Sequence, residues 1–359
     1  MNYRKGNDKL VILTGGGTAG SVTPLLAIAE IISNNDKEVH FIWLGTAKGP
    51  ERQLVEEVKI PFVAVAAGKL RRYWSWHNIV DIIKIIGGFF QGEYLLIKYR
   101  PKLVVSAGSF VSVPIAWAAK ILGIPLIIEQ LDYRPGLANK LMAKAADCIV
   151  VTFAKSLQDY GSKAVWLGAP VSPELAVMSD DITLLPWKIS QQRPVVLIMG
   201  GGTGALALNE AVYREVDKLT QLADIIHITG RGKGQIIKQE GYFSAEFLNH
   251  RQIMTAYKLA DIVVARAGLG TMIELAALAK PSILVPLPDS HQLDNAKVAA
   301  QGGAAIMLQE EDLVNGGLIK TIEDLLLDSH KQNELGHNWS KVIKVAQEAE
   351  ILEVFKKYF

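Results

Sequence analysis

Leu10-Val11-Ile12-Leu13-Thr14-Gly15-Gly16-Gly17-Thr18-Ala19-Gly20-Ser21 is an apolar run that passes directly into a glycine-rich turn. The helical pattern Leu25-Leu26-Ala27-Ile28-Ala29-Glu30 follows it. Glycines let the backbone approach a ligand closely, and a helix N-terminus offers unpaired N–H groups and a partial positive charge to an anion. This strand, loop and helix start therefore predict a site for an anionic group.

The same pattern recurs in the second half, where the apolar run 195–199 leads into Gly200-Gly201-Gly202-Thr203-Gly204-Ala205. A chain of 359 residues is too long for one ordinary core, since a domain holds about 150 residues. We therefore predict two similar domains, residues 1–170 and 171–359, with the boundary near the Gly- and Pro-containing segment 168–173.

Short apolar runs rich in Val and Ile alternate with helical patterns, which is typical of parallel strands covered on both faces. The predicted strands are residues 10–14, 39–44, 103–106, 125–128, 148–152, 195–199, 225–229, 262–265 and 282–285. The fold class is therefore α/β, with two Rossmann-like parallel-sheet domains. Ligands bind at the carboxyl ends of such strands, so we expect the site in a cleft between the domains. The run 342–355 predicts an amphipathic helix that ends the fold and packs back on the first domain.

Composition narrows the class of partner and the compartment. The net charge of +2 does not favour nucleic acid. The single cysteine, Cys148, rules out an internal disulfide and fits a small buried residue in a reducing compartment. A polar N-terminus and the lack of a run near ~18 apolar residues predict a cytoplasmic protein whose membrane contact is peripheral.

The segment Lys69–Phe90 does not continue the alternation of apolar runs and helical patterns, because aromatic and apolar residues are mixed with basic ones. Its first residues include Arg71, Arg72, Trp74 and Trp76. One interpretation is a helix that buries one apolar face against the sheet, formed by Ile82, Ile83, Ile86 and Phe90. The other adds a patch that lies on an anionic membrane surface.

The glycine-rich loops do not carry two common nucleotide signatures. The acidic residue that closes the second strand of a dinucleotide-binding unit is missing near Trp43-Leu44-Gly45. Neither loop has the Gly-Lys-Ser/Thr of a nucleoside triphosphatase. Both loops therefore suggest sites for a diphosphate or a sugar.

Two further polar groups follow predicted strands in the second half. Thr271 and Glu274 have capping-box spacing, so Glu274 either only caps its own helix or accepts hydrogen bonds from ribose hydroxyls beside a bound diphosphate. His291 and Gln292 lie on a predicted loop, which either binds sugar hydroxyls or is merely solvated.

Five motifs follow one another: Gly17-Thr18-x-Gly20-x-x-x-Pro24, Ala107-Gly108-Ser109-Phe110-Val111-Ser112-x-Pro114, Pro135-Gly136-Leu137-Ala138-Asn139-Lys140, Arg266-x-Gly268-x-x-Thr271-x-x-Glu274 and His291-Gln292-x-x-Asn295-Ala296. In this order they resemble the MurG family over about Leu10 to Gly303. The resemblance implies a metal-independent, cofactor-free inverting glycosyltransferase of the GT-B type at the cytoplasmic face of the cell membrane. It implies transfer of N-acetylglucosamine from UDP-N-acetylglucosamine to the muramoyl C4 hydroxyl of undecaprenyl-linked lipid I, giving lipid II for peptidoglycan.

The resemblance also implies site residues, with the acceptor bound by the N-terminal domain and the donor by the C-terminal domain. The donor side would comprise Gly202, Thr203, Gly204, Ile253, Gly270, Thr271, Glu274, His291 and Gln292. The acceptor side would comprise Thr18, Ala19, Gly20, Ser109 and Asn139. It favours the membrane interpretation of Lys69–Phe90.

Several positions expected to perform acid–base or charge chemistry differ from the family. Ser21 replaces a histidine of the first loop, and Glu129-Gln130-Leu131-Asp132 replaces His-Glu-Gln-Asn. Gly202-Thr203 replaces Ser-Gln, and Ser172 replaces an arginine. Serine needs another group to accept its proton, so Asp132 and Glu129 are the candidate bases of an inverting transfer. The alternatives are a relative that uses another lipid or sugar acceptor, and a weakly active or inactive UDP-sugar-binding scaffold of the cell-wall machinery.

Overall fold

The computed structural model describes residues 9–16, 19–49, 51–68, 77–175, 182–190, 192–201 and 204–358. The strands are β1 (Lys9–Thr14), β2 (Val39–Gly45), β3 (Phe62–Ala64), β4 (Leu103–Ser106), β5 (Leu126–Gln130), β6 (Cys148–Val151), β7 (Ala164–Trp166), β8 (Val195–Met199), β9 (Asp224–Ile228), β10 (Tyr242–Ala245), β11 (Ile262–Ala265), β12 (Ser282–Leu284) and β13 (Ile306–Met307). The α-helices are α1 (Thr23–Asn35), α2 (Glu51–Glu57), α3 (His77–Tyr99), α4 (Ser112–Ile121), α5 (Leu137–Met142), α6 (Leu157–Tyr160), α7 (Leu206–Leu222), α8 (His250–Leu259), α9 (Leu269–Ala277), α10 (His291–Gln301), α11 (Gly317–Leu327), α12 (Ser329–Val342) and α13 (Glu348–Phe355).

The chain divides into two compact units. Unit 1 comprises Met1–Pro173 and Lys344–Phe359, and unit 2 comprises Glu174–Ile343. Each unit contains a parallel sheet with helices around it, so the predicted α/β class with two parallel-sheet domains is confirmed.

The two sheets share one topology. Unit 1 has the strand order β3-β2-β1-β4-β5-β6-β7, and unit 2 has the order β10-β9-β8-β11-β12-β13. Within each unit, the strand order reverses between the first strand and the fourth, so both glycine-rich loops follow the strand at a topological switch point. In sheets of this kind the ligand site lies beside that point, at the carboxyl ends of the strands.

The central strands form as predicted because their side chains are buried on both faces. Every residue of β4, β5, β6, β8 and β11 is buried. The four edge strands β3, β7, β10 and β13 are absent from the sequence prediction. They are two to four residues long and mostly half-buried or exposed, so their apolar signal is weak.

Helix α3 buries a different face from the one predicted. Ile86 and Phe90 are 53% and 61% exposed, so assigning them to the core is wrong. The buried side contains Gly88 and Gly92, and a Cβ at Gly88 would lie 2.2 Å from the carbonyl oxygen of Ala66. These glycines allow close packing without contributing to the hydrophobic pattern, and the pattern therefore pointed to the wrong face. The side chains of Ile82 and Ile83, and all of residues 69–76, lie outside the described residues.

The C-terminal run is two elements and not the single predicted helix. Helix α12 ends at Val342, and α13 begins only at Glu348. Between them the Ala169 N–H donates to the Lys344 carbonyl at 2.7 Å, and the Ala346 N–H donates to the Ala169 carbonyl at 2.9 Å. Helix α13 then packs on α1, where Asn35 Nδ2 donates to Glu348 Oε1 at 2.6 Å.

Two properties of the described residues bear on membranes and metals. None of the helices in these ranges combines the length and apolar character needed to cross a bilayer. The same ranges contain no cluster of three or more His, Cys, Asp or Glu side chains arranged to hold a metal ion.

Candidate functional site

The first glycine-rich loop packs tightly against two side chains of unit 1. The Gly15 carbonyl accepts a hydrogen bond from Trp43 Nε1 at 3.2 Å. A Cβ at Gly16 would lie 2.3 Å from Glu51 Oε1, so a larger residue there would displace that carboxylate. Ala19–Ser21, which include predicted Ala19, Gly20 and Ser21, form a 3-10 turn before α1. Predicted Thr18 lies outside the described residues.

Glu51 is a buried carboxylate beside this loop that sequence analysis missed. It lies at the start of α2 and accepts a hydrogen bond from the Thr46 N–H at 2.8 Å and a second from the Thr46 hydroxyl. The negative charge also lies at a helix N-terminus, where it is favoured. Glu51 thus orders the loop through contact with Gly16. Glu51 lies among other polar residues in the sequence, so nothing there distinguished it from its neighbours.

Predicted Ser109 follows the carboxyl end of β4 and predicted Asn139 lies on α5 after β5, and Gly108, next to Ser109, packs against Asn139. Gly108 and Ser109 both have positive φ, +85° and +91°, and a Cβ on Gly108 would lie 2.8 Å from Asn139 Oδ1. Asn139 Nδ2 donates to the Glu129 carbonyl at 3.2 Å and to Gln130 Oε1 at 2.7 Å. Gln130 also accepts from the Tyr160 hydroxyl at 2.8 Å, so it anchors this corner of unit 1.

The two candidate bases differ in their surroundings. Glu129 is 1% exposed, and neither of its carboxyl oxygens has a hydrogen-bond partner among the described residues. Burial without a partner disfavours the charged form and raises the pKa of Glu129 to about 8. Asp132 is half-buried on the loop after β5, and its carbonyl accepts from Gln130 Nε2 at 2.6 Å.

The second glycine-rich loop is supported by a buried polar network in unit 2. Gly204 has φ +69°, and a Cβ there would lie 2.5 Å from the Thr229 carbonyl oxygen. That carbonyl accepts from Asn209 Nδ2 at 2.9 Å. Predicted Gly202 and Thr203 lie outside the described residues.

His227 completes this network with both ring nitrogens. Nε2 is 3.1 Å from Asn209 Oδ1, and Nδ1 is 2.8 Å from the Tyr242 hydroxyl. Because the Asn209 amide nitrogen already donates to Thr229, its oxygen must accept from the histidine, which assigns the proton to Nε2 and an acceptor role to Nδ1. Burial lowers the pKa of His227 to about 4, so the ring is neutral.

Helix α9 presents its N-terminus at the carboxyl end of β11. The first intrahelical bond runs from the Met272 N–H to the Gly268 carbonyl at 3.1 Å. The N–H groups of predicted Gly270 and Thr271 precede that bond and are available to an anion.

Glu274 does not cap α9, so the capping interpretation is wrong. The helix begins at Leu269 after Gly268, which places Thr271 and Glu274 within the helix. Glu274 Oε2 instead accepts a hydrogen bond from the Tyr257 hydroxyl of α8 at 2.8 Å. Burial raises the pKa of Glu274 to about 7, and the Tyr257 bond acts in the opposite direction.

The remaining predicted donor residues lie on helices. His291 and Gln292 begin α10 and do not belong to a loop as expected; His291 is exposed, and Gln292 Oε1 accepts from the Leu287 N–H at 3.1 Å. Ile253 is half-buried on α8, whose N-terminus is closed by reciprocal hydrogen bonds between Asn249 and Gln252. Arg266 donates to the carbonyls of Val285 and Pro286, both at 3.1 Å, and thereby joins the ends of β11 and β12.

Two family models match the chain in the order of its units. Residues 11–151 match the glycosyltransferase family 28 N-terminal domain, and residues 195–351 match the glycosyltransferase family 28 C-terminal domain. The chain belongs to glycosyltransferase family 28. Together with the relatives and the solved structure described next, these models confirm the resemblance to the MurG family drawn from the motifs.

Named relatives agree with this family 28 assignment. A UDP-N-acetylglucosamine–N-acetylmuramyl-(pentapeptide) pyrophosphoryl-undecaprenol N-acetylglucosamine transferase of Clostridium kluyveri is 37% identical over 331 residues, which cover 90% of this chain and 92% of that protein. A transferase of the same name from Clostridium botulinum is 34% identical over 359 residues, covering 98% and 99%. The crystal structure of Acinetobacter baumannii MurG superposes with a TM-score of 0.72 at 24% identity, covering 97% of this chain and 99% of that one, which supports the fold.

Among the described residues, the predicted site positions follow the carboxyl ends of strands in each sheet taken separately, whereas Thr18, Gly202 and Thr203 lie outside the described residues. Sequence analysis missed Tyr257, His227, Asn209 and Glu51, which support the predicted residues from neighbouring elements. The buried His227 inside an apolar strand was the one available signal, because an ionisable residue there needs partners.

Proposed function

We propose that this family 28 chain transfers N-acetylglucosamine from UDP-N-acetylglucosamine to the C4 hydroxyl of the muramoyl unit of lipid I, with inversion, giving lipid II for peptidoglycan. The observation that carries the proposal is the free N-terminus of α9 beside the Tyr257-held carboxylate of Glu274. Together these offer N–H donors for a diphosphate and acceptors for ribose hydroxyls. The relatives named for this same transfer support the choice of sugar and acceptor.

On the donor side, the N–H groups of Gly270 and Thr271 would stabilise the diphosphate as it leaves. Glu274 would bind the ribose, and the second glycine-rich loop Gly202–Gly204 would lie against the phosphates. His291 and Gln292, at the N-terminus of α10, would contact N-acetylglucosamine, and the uracil would pack near Ile253. The preorganised N–H donors act where negative charge develops, which is how such groups accelerate transfer.

On the acceptor side, the muramoyl C4 oxygen would attack the anomeric carbon while a base takes its proton and UDP departs with the bonding electrons. We propose Asp132 as that base, because it is half-buried on a loop, whereas the Glu129 carboxyl is enclosed. Ser21 lacks the basicity for this step and would orient the acceptor with Thr18, Ala19 and Gly20. Ser109 and Asn139 would line the same acceptor site.

We propose that unit 1 contacts the anionic cytoplasmic face of the cell membrane through Lys69–Phe90 and the rest of α3. Helix α3 exposes Ile86, Phe90, Tyr94 and Ile97 along one side. The neighbouring helix α4 exposes Trp117 and Ile121. Lys98 lies over the ring of Tyr99 at 5.2 Å and adds positive charge beside this apolar surface. Apolar and aromatic residues rimmed by lysine are suited to an anionic lipid surface.

Co-sedimentation with vesicles of anionic phospholipid tests the membrane proposal. Replacing Ile86 and Phe90 with Ser should reduce the bound fraction severalfold, because each substitution removes apolar area from the surface that contacts the membrane. Ile236, which is 95% exposed in unit 2, is the matched control, and Ile236→Ser should leave binding unchanged. Equal binding by all three proteins would contradict the proposal.

The transfer is tested by mixing the protein with UDP-N-acetylglucosamine and a short-chain lipid I analogue and following UDP release. We expect release that depends on the acceptor, and formation of the lipid II analogue by mass spectrometry. UDP release with other lipid or sugar acceptors only would indicate a different acceptor. Donor binding with background UDP release would instead indicate a binding scaffold and overturn the enzymatic proposal.

A further inference from the structure

Tyr257 is a fully buried tyrosine whose hydroxyl lies against a single carboxylate. It sits in the last turns of α8, is 0% exposed, and places its hydroxyl 2.8 Å from Glu274 Oε2 on α9. The Thr271 side chain is a second hydrogen-bond partner of the same hydroxyl. Thr271 and Glu274 are three residues apart on α9, so they lie on one helical face.

The direction of these hydrogen bonds follows from proton counting. An ionised carboxylate can only accept, so the single Tyr257 proton is donated to Glu274. The Tyr257 oxygen is then free to accept, and the Thr271 hydroxyl must donate to it. The result is a chain from Thr271 through Tyr257 to Glu274 in which each hydroxyl hydrogen has one direction.

This chain restrains a side chain that would otherwise be mobile. A glutamate loses rotamer entropy when it is held in one conformation. Tyr257 imposes that conformation before any ligand binds, because its own ring is enclosed in the core of unit 2. Glu274 therefore keeps one oxygen, Oε1, and the second lone pair of Oε2 available in a defined place.

We infer that Tyr257 is a positioning residue for the nucleotide ribose, holding the Glu274 carboxylate where it accepts hydrogen bonds from both hydroxyls of a cis-diol. The inference rests on the proposed function, in which Glu274 binds the ribose. It adds a specificity determinant: the Tyr257 hydroxyl makes the site distinguish a ribonucleotide from a 2′-deoxyribonucleotide. Tyr257 touches Glu274 and not the reacting atoms, so its effect is on binding of the nucleotide and not on the chemical step.

The electrostatics of the pair act in the same direction as the geometry. Burial raises the pKa of the Glu274 carboxyl, whereas the hydrogen bond from Tyr257 lowers it and favours the acceptor form. Loss of the hydroxyl would leave a carboxyl that is more often protonated and that then presents a donor to the ribose. A protonated Glu274 would compete poorly for two hydroxyl donors.

The test compares UDP with 2′-deoxy-UDP in binding to the wild type and to Tyr257→Phe, by calorimetry on the full chain. We expect the wild type to prefer UDP, and the variant to lose about tenfold in UDP affinity while its 2′-deoxy-UDP affinity changes little, as for loss of one hydrogen bond to a charged group. Tyr358→Phe is the control, since it removes a tyrosine hydroxyl that bonds to Cys148 in unit 1, and it should bind UDP as the wild type does.

The possible results distinguish a failure of the role of Tyr257 from a failure of the proposed contact between Glu274 and ribose. Equal losses for UDP and 2′-deoxy-UDP, or an unchanged preference for UDP, would overturn the role of Tyr257 alone. A wild type with no preference for UDP would overturn the proposed contact between Glu274 and ribose, and the inference with it. If Tyr257→Phe folds poorly, a Glu274→Ala background decides: adding Tyr257→Phe there should not weaken UDP binding further, and an additional tenfold loss would contradict the inference.

Discussion

The carboxyl ends of the two sheets differ in how their buried polar groups are satisfied. In unit 2, His227 uses both ring nitrogens and Glu274 is held by Tyr257. Among the described residues, six of the eight buried side-chain atoms without a hydrogen-bond partner belong to unit 1. They are Ser109 Oγ, both Glu129 carboxyl oxygens, Asn139 Oδ1, Thr152 Oγ1 and Ser156 Oγ.

The buried polar groups of unit 2 are therefore mostly paired, whereas several of those in unit 1 still lack a partner among the described residues. Each unpartnered buried polar group costs roughly 1–3 kcal/mol, so the six atoms of unit 1 cost more than Glu215 Oε2 and Ser282 Oγ cost unit 2. Glu129 is also a position at which the sequence resemblance implies a histidine, so an unpartnered carboxyl coincides with an expected departure from the family pattern. The two units should therefore respond oppositely to pH and to removal of polar groups.

The largest expected effect is a loss of unit 1 stability as the pH rises. The pKa of the Glu129 carboxyl is about 8 in the folded protein and 4.5 when unfolded, so the folded state holds the proton more tightly. Its stabilising contribution is complete below pH 4.5 and is lost as the pH rises through 8. Between pH 5 and pH 8 the unfolding free energy should fall by about 3 kcal/mol from this group.

Glu129→Gln checks this prediction, because the amide has a similar shape and does not titrate. Urea unfolding combined with amide hydrogen exchange in β5 should show that the variant's stability is flat over the interval in which the wild type weakens. If the unfolding free energies of wild type and variant change in parallel with pH, the Glu129 carboxyl is solvated or paired. The difference between the two units in unpartnered polar groups would then be smaller.

The next effect is catalytic and concerns which carboxylate serves as the base. Asp132→Asn should lower turnover at least ~100-fold with little change in UDP-N-acetylglucosamine affinity, in line with typical general-base contributions. Glu129→Gln is the matched control, since a carboxyl that is protonated at neutral pH cannot accept the acceptor's proton. UDP release measured with a lipid I analogue decides between them. Normal turnover in Asp132→Asn together with its loss in Glu129→Gln would assign the base to Glu129.

Unit 2 should respond to pH with the opposite sign. The pKa of His227 is about 4 in the folded protein and 6.5 when unfolded, so the unfolded state binds the proton first. Stability from the neutral ring is complete above pH 6.5 and is lost as the pH falls through 4, by about 2 kcal/mol between pH 7 and pH 4.5. Hydrogen exchange in β9 should report this loss, and His227→Gln should remove the pH dependence. If β9 keeps the same protection at both pH values, the ring is not held neutral.

The central strands of both sheets were predictable because strands that are buried on both faces have continuous apolar sequences. The edge strands were not, since Ala164–Trp166 and Ile306–Met307 are too short and too exposed for that signal. The exposed face of α3 was misassigned because Gly88 and Gly92 supply the packing surface and no hydrophobic pattern.

The candidate site was predictable where glycine, proline and strand ends coincide, as at Gly204 and at the start of α9. Its supporting partners were not predictable. Tyr257 and Glu274 are far enough apart in sequence that only the packing of α8 on α9 brings them together. Likewise Glu51 acquires its role through contact with Gly16, and nothing in the local sequence of either residue signals the other.

The smallest effect uses one substitution at matched positions in the two units. Thr152 directly follows β6, Thr229 directly follows β9, and each is 1% exposed. Thr152 Oγ1 has no partner among the described residues, whereas Thr229 Oγ1 donates to the Ala245 carbonyl at 3.4 Å. Valine keeps the shape and removes the hydroxyl, so Thr152→Val should stabilise unit 1 by up to about 1 kcal/mol and Thr229→Val should destabilise unit 2 by about 1 kcal/mol. Urea unfolding of both variants measures these shifts. Two losses of equal size would show that the Thr152 hydroxyl has a hydrogen-bond partner in solution. The buried polar groups at the strand ends of unit 1 would then be as well paired as those of unit 2.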